Sequence, residues 1–166
     1  NLERWDVHPS GGEFFTTYRN TYRTQIDVVL RSGYSVLNAC DEVVAELAEL
    51  SDGEVIFFAT DPACPAMAAH LAEGQRGVFV RDGRITLASG RDEIRVCRLG
   101  DVPVIGKQKD PATIANVLAA VAAGWALGLT QEVIGTGVKT FGLELPDPAA
   151  LLPQRAGKSP AATARN

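Results

Sequence analysis

The chain is poor in everything that would mark a secreted or a nucleic-acid-binding protein. Three cysteines among 166 residues, Cys40, Cys64 and Cys97, are odd in number and widely spaced. That excludes a disulfide framework and predicts reduced, mostly structural thiols of a cytoplasmic protein. Positive charge is also scarce: 16 lysines and arginines against 20 acidic residues leave a net charge of −4. No basic stripe stands out before the tail, so no nucleic-acid partner is expected. A signal peptide is lacking. The longest apolar run, residues 111–129, starts at Pro111 and is rich in alanine and glycine, which makes it only weakly hydrophobic. It is expected to be a buried helix, not a membrane span. The chain begins at Asn1 without an initiator methionine, which gives the expectation of a fragment of a longer polypeptide.

What is present, 46% hydrophobic residues over 166, is enough for one domain with a real core. Residues 1–12 show no periodicity and read as a loop. From Glu13, the positions Phe15, Tyr18, Tyr22, Ile26 and Val29 repeat at helical spacing up to Gly33. "YSVLNA" (34–39) reads as a buried parallel strand. Asp41 then caps a helix with Val44, Leu47, Ala48 and Ser51 on one face, closed by Gly53. The strand "EVIFFAT" (54–60) leads into a helix between Asp61-Pro62 and Gly74. This alternation predicts an α/β layer with a parallel sheet.

The pattern then changes to an antiparallel meander. Asp82-Gly83 suits a two-residue type I′ turn that pairs Val80 with Ile85 and Val78 with Leu87, and Ile94 and Val96 should continue that apolar face. Asp110 and Pro111 predict a helix start, and a second, glycine-weakened helix should begin at Thr130. The domain is expected to cover residues 1–145, followed by a Pro/Ala-rich disordered tail at 146–166.

Three motifs suggest chemistry and do not carry it. "GTGVKT" (135–140) has Val138 between glycine and Lys139, and "GKS" (157–159) has Leu152 where the first glycine of a phosphate loop belongs. Cys64 and His70 have no second pair at ligand spacing, so no metal site is expected there, and no acid or nucleophile accompanies His70 in a motif. Asn116 is the more informative residue. Ile114, Val117, Leu118, Val121 and Trp125 form one large apolar stripe, and Asn116 falls on the opposite, small-residue face with Ala119, Ala120, Ala123 and Leu127. A carboxamide buried without partners costs roughly 1–3 kcal/mol, so it needs one. Either a neighbouring loop supplies it, or a planar ring with matching edge groups, such as adenine, does.

Several stretches together resemble one family. "YRTQIDVVLRSGYSVLNACDEVVAELAELSDGEVIFFATD", "AAHLAEGQRGVFVRDGRITLASG" and "IANVLAAVAAGWALG" followed by "GVKTF" are similar to the Mur-ligase-like module of the cyanophycin synthetases, over roughly residues 18–141. A more distant resemblance is to the Mur ligases, through "VLN-x-x-D" and "N-x-LAA". It implies an α/β fold like part of the Mur-ligase central domain, a parallel sheet with flanking helices plus a small antiparallel β-meander. The implied activity uses ATP and Mg2+ to activate a carboxylate as an acyl phosphate, which an amine attacks to form an amide. In cyanophycin synthetases the module joins arginine to the side-chain carboxylates of poly-aspartate.

The implied partners are the rest of such a ligase: the phosphate-loop region, a C-terminal Mur domain and an ATP-grasp module. Homo-oligomerisation stays open. In Mur-type ligases the Asn of "N-x-LAA" faces the adenine, and that position is Asn116. The chain departs from the family pattern in several places. Tyr22, beside Arg23, stands where many members carry a modified lysine, and Cys40 stands where an acid is common. The upstream phosphate loop and the glutamate/histidine region that would hold magnesium are missing. The tail also replaces a third domain with its "D-x-x-HN" signature. The chain alone is therefore expected to be catalytically incomplete. The alternative is a non-catalytic remnant or assembly module of the same fold, binding nucleotide weakly or not at all.

Overall fold

A computed structural model describes residues 20–106 and 110–143. A first helix, α1, covers residues 20–27 of the described part, and its expected start at Glu13 lies outside the described residues. Its end comes earlier than Gly33, which instead donates its N–H to Leu30 O at 2.7 Å in a following turn. The chain then alternates: β1 (Tyr34–Asn38), α2 (Glu42–Glu46) running into a 3-10 turn (Leu47–Leu50), β2 (Glu54–Ala59), α3 (Pro65–Ala72) and β3 (Arg76–Arg81). β4 (Arg84–Ser89) and β5 (Asp92–Arg98) follow, then α4 (Pro111–Ala126) and α5 (Gln131–Thr140).

Local chemistry explains most of these boundaries. Asp41 accepts from the Val44 N–H at the start of α2, Asp110 from the Thr113 N–H at the start of α4, and Thr130 from the Val133 N–H at the start of α5. Two starts and stops differ from expectation. The Asp61 carboxylate spends itself on the Ala63 N–H in a tight turn, so α3 begins only at Pro65 with Cys64 before it. The α2 segment ends at Ser51 rather than Gly53. The apolar run 111–129 is helical only to Ala126, because Gly128 takes a left-handed conformation (φ 79°). No helix among the described residues is long and apolar enough to cross a membrane.

The sheet is a single one, in the order β1-β2-β3-β4-β5. β1 and β2, and β2 and β3, run parallel; β3-β4-β5 is the antiparallel meander. The meander is thus not a separate layer: β3 belongs to both halves. Asp82 (φ 52°) and Gly83 (φ 68°) make the type I′ turn, with Val80 opposite Ile85 and Val78 opposite Leu87. On β5 the expected alternation breaks. A bulge between Ile85 and Thr86 puts Cys97 opposite Ile85, so Cys97 is buried while Ile94, opposite Leu87, is 47% exposed.

Period-2 alternation sends side chains to two cores. On one face, Ile56, Phe58, Val78, Ile85, Leu87 and Cys97 meet Val117, Leu118, Val121 and Ala122 of α4 and Ile134 of α5. On the other, Leu37, Phe57, Ala59, Phe79 and Ala88 meet Ile26 of α1, Leu47 of the 3-10 turn after α2 and Met67 of α3. The result is three layers with helices on both faces, which is why β2 and β3 carry near-continuous apolar runs.

Candidate functional site

Asn116 lies on α4, nearly two turns beyond the Asp110 cap. The structure corrects the expectation that it is buried: it is exposed, and its carboxamide has no hydrogen-bond partner among the described residues. The periodicity reading of the helix holds in outline, with Val117, Leu118 and Val121 buried, and Ala120, Ala123 and Leu127 exposed on Asn116's side. Ala122 is buried on the sheet side as well, while Ile114 and Trp125 are half-buried.

Only part of the small-residue face is approached. α5 and the turn Pro103–Ile105 pack beside Asn116 and Ala120, while Ala123 and Leu127 stay exposed. Between α4, α5 and that turn lies a slot of about 500 Å³. Its walls are apolar: Val104, Val117, Ala120, Val138 and Phe141, with the backbone of Gly137. Thr113 also lines it, but its hydroxyl donates to the Asp110 carboxylate at 2.9 Å, so the hydroxyl is engaged there. Asn116 is the slot's uncommitted polar side chain among the described residues. An apolar slot with one free carboxamide takes a flat ring by its faces and reads one polar edge. The α5 wall was not foreseen. Glycines at 135 and 137 read from sequence as mere helix weakness.

The carboxyl ends of β1 and β2 gather a second group of expected residues. Asn38 accepts the Cys40 N–H at 3.0 Å, and Cys40 Sγ lies 3.7 Å from Asp61 O. Burial pushes the Cys64 thiol up to about 11, with the Cys40 thiol beside it adding to the rise. Cys64 is therefore no thiolate nucleophile at neutral pH. Burial likewise raises Cys97. All three cysteines are free thiols.

His70 is remote in role from any of this. Its Nε2 bonds Arg76 O at 3.0 Å and its ring meets Phe57 edge-on at 4.6 Å, so it is a packed, structural histidine. Burial lowers its pKa below 6.5, although bonds to Arg76 and Val55 and the charges of Glu73 and Glu54 oppose the drop. Protons therefore bind the unfolded chain more readily in the window just below 6.5. Stability is expected to fall as pH drops through that window. Comparing urea midpoints at pH 7.5 and 5.5 checks it: His70→Gln, which keeps a donor but no charge, should flatten the slope. An unchanged slope would remove His70 as the cause.

"GTGVKT" lies inside α5, where backbone N–H groups are spent on helical bonds and cannot cradle a phosphate. "GKS" lies outside the described residues. Tyr22 and Arg23 are exposed on α1, and Tyr22 lines a separate hollow of about 360 Å³ beside β1.

Comparison with known proteins ties the chain to one group. It is 35% identical over 115 residues to a cyanophycin synthetase of Synechocystis sp., a match covering 69% of this chain and 13% of that protein. A cyanophycin synthetase of Geminocystis herdmanii is 32% identical over 109 residues, 66% of this chain and 12% of the relative. The chain is a partial relative of the cyanophycin synthetases. A UDP-N-acetylmuramoylalanine–D-glutamate ligase of Bacillus mycoides is similar at 24% identity over 136 residues, 82% of this chain and 25% of its own length. No family model matches the chain. It thus spans about an eighth of the synthetases it matches. The relatives are named as synthetases and a ligase, and the mixed sheet with flanking helices is the α/β arrangement expected of the ligase module.

Proposed function

We propose that this chain is part of the central nucleotide-binding domain of a cyanophycin-synthetase-type ligase, and that its slot holds the adenine of ATP. The observation that carries the reading is the exposed, partnerless Asn116 carboxamide beside an apolar slot of about 500 Å³. A carboxamide offers two donors and an acceptor, which matches the 6-amino and N7 edge of adenine, while apolar walls match its faces.

The other end of the nucleotide does not fit here. No three His, Cys, Asp or Glu side chains converge on a metal position among the described residues, and "GTGVKT" is helical there. Positioning and charge stabilisation dominate phosphoryl transfer, so this stretch alone would not ligate. In the complete enzyme, the Mg2+ and phosphate end would come from outside the described residues. The reaction proposed for that enzyme is the joining of arginine to aspartate side-chain carboxylates.

Asn116→Ala in the complete ligase is expected to raise the KM for ATP about tenfold, the worth of one good polar contact. Folding should be intact, because the site is exposed and alanine is the better helix former. A large loss of stability with unchanged kinetics would show instead that Asn116 serves the fold. Titration calorimetry of the present chain with ATP should show no micromolar binding; finding it would overturn the split site.

A further inference from the structure

α5 carries two glycines within its ten residues, and packing accounts for only one. A Cβ on Gly135 would stand 3.3 Å from Val96 Cγ1, so its bareness lets α5 lie close on β5. Gly137 has no such neighbour: a Cβ there meets no atom within 4 Å, and its backbone is ordinary helix, without a positive φ. Glycine is the least favourable residue of a helix interior after proline, and here neither local conformation nor close contact calls for it. What Gly137 does is line the slot across from the α4 residues Asn116 and Ala120.

We propose that Gly137 is a specificity-determining position, whose missing side chain keeps the slot open to a flat purine ring. A larger apolar residue there would settle between Val104, Val138 and Phe141 and occupy the ring's place. The inference rests on the adenine reading of the slot, and it makes a prediction of opposite sign to that of a structural glycine. Removing a glycine that serves the fold destabilises; removing one that serves a cavity stabilises the chain and costs only binding.

The test uses the chain as it stands, with Gly137→Ala and Gly137→Leu, thermal melts, and NMR titration with millimolar adenosine. Gly137→Ala should melt about 2–4 °C higher. Gly137→Leu should melt no lower than the parent and bind adenosine at least about tenfold more weakly. Adenosine binding unchanged in Gly137→Leu overturns the role of Gly137 and leaves the adenine reading standing. A lower melting temperature for Gly137→Ala overturns it too, by showing that the glycine serves folding. No adenosine response in the parent chain removes the adenine reading and Gly137's role with it.

Discussion

Gly53→Ala is expected to cost about 2–3 kcal/mol of stability, the range of overpacking a site that cannot yield. A Cβ at Gly53 would stand 2.5 Å from Gly33 O, 2.8 Å from Leu30 O and 2.8 Å from Val29 Cγ1. The two oxygens belong to backbone that is pinned on both sides. Gly33 donates to Leu30 O at 2.7 Å, and Gly33 O accepts the Glu54 N–H at 3.0 Å. Relief would therefore pull apart the point where β1 and β2 begin their pairing, Tyr34 opposite Glu54. Urea unfolding of the alanine variant measures the effect. An unfolding free energy within about 0.5 kcal/mol of the parent, the range of a neutral surface change, would show that the crossing is soft.

Arg76→Ala is expected to cost a similar amount, about 2–3 kcal/mol, through several small contributions. The guanidinium bonds Glu54 twice, Nε to Oε1 at 2.5 Å and Nη2 to Oε2 at 2.9 Å. It lies 5.3 Å from the centre of the Tyr34 ring and 4.9 Å from that of Trp125. Glu54 is 39% exposed, so solvent screening limits the ion pair to about 1 kcal/mol despite its paired geometry. Each ring contributes about 0.5–1 kcal/mol, and loss of the aliphatic stem adds a little more. One side chain thereby joins the starts of β1, β2 and β3 to the last turn of α4. Arg76→Lys keeps the charge but neither the fork nor the flat stacking face, so it should recover less than half of the loss. Full recovery by lysine would mean that charge alone matters and the rings are bystanders.

These two sites show where sequence reasoning reaches and where it stops. Gly53 reads as a helix stop, and the helix does end nearby, at Ser51; the stronger reason for glycine is a backbone crossing with Gly33, twenty residues away. Arg76 carries no signal at all in the sequence, because its partners Glu54, Tyr34 and Trp125 come from three different elements. The same holds for Cys97. A bulge that no local pattern announces gives it the buried place opposite Ile85. By contrast, the caps at Asp41, Asp110 and Thr130 and the Asp82-Gly83 turn were legible, because each is decided within four residues.

By itself, then, the sequence determined the order of elements, the parallel-then-antiparallel sheet, the helix starts and the small-residue face that bears Asn116. All of these follow from local dihedral preference and from periods of 2 and 3.6 residues. Only the tertiary structure decided that the two strand patterns share β3, that Asn116 is exposed and partnerless, and that α5 turns part of that small-residue face into a slot with Gly137 on its wall. Each of these depends on distances between segments far apart in the chain, which no local pattern encodes.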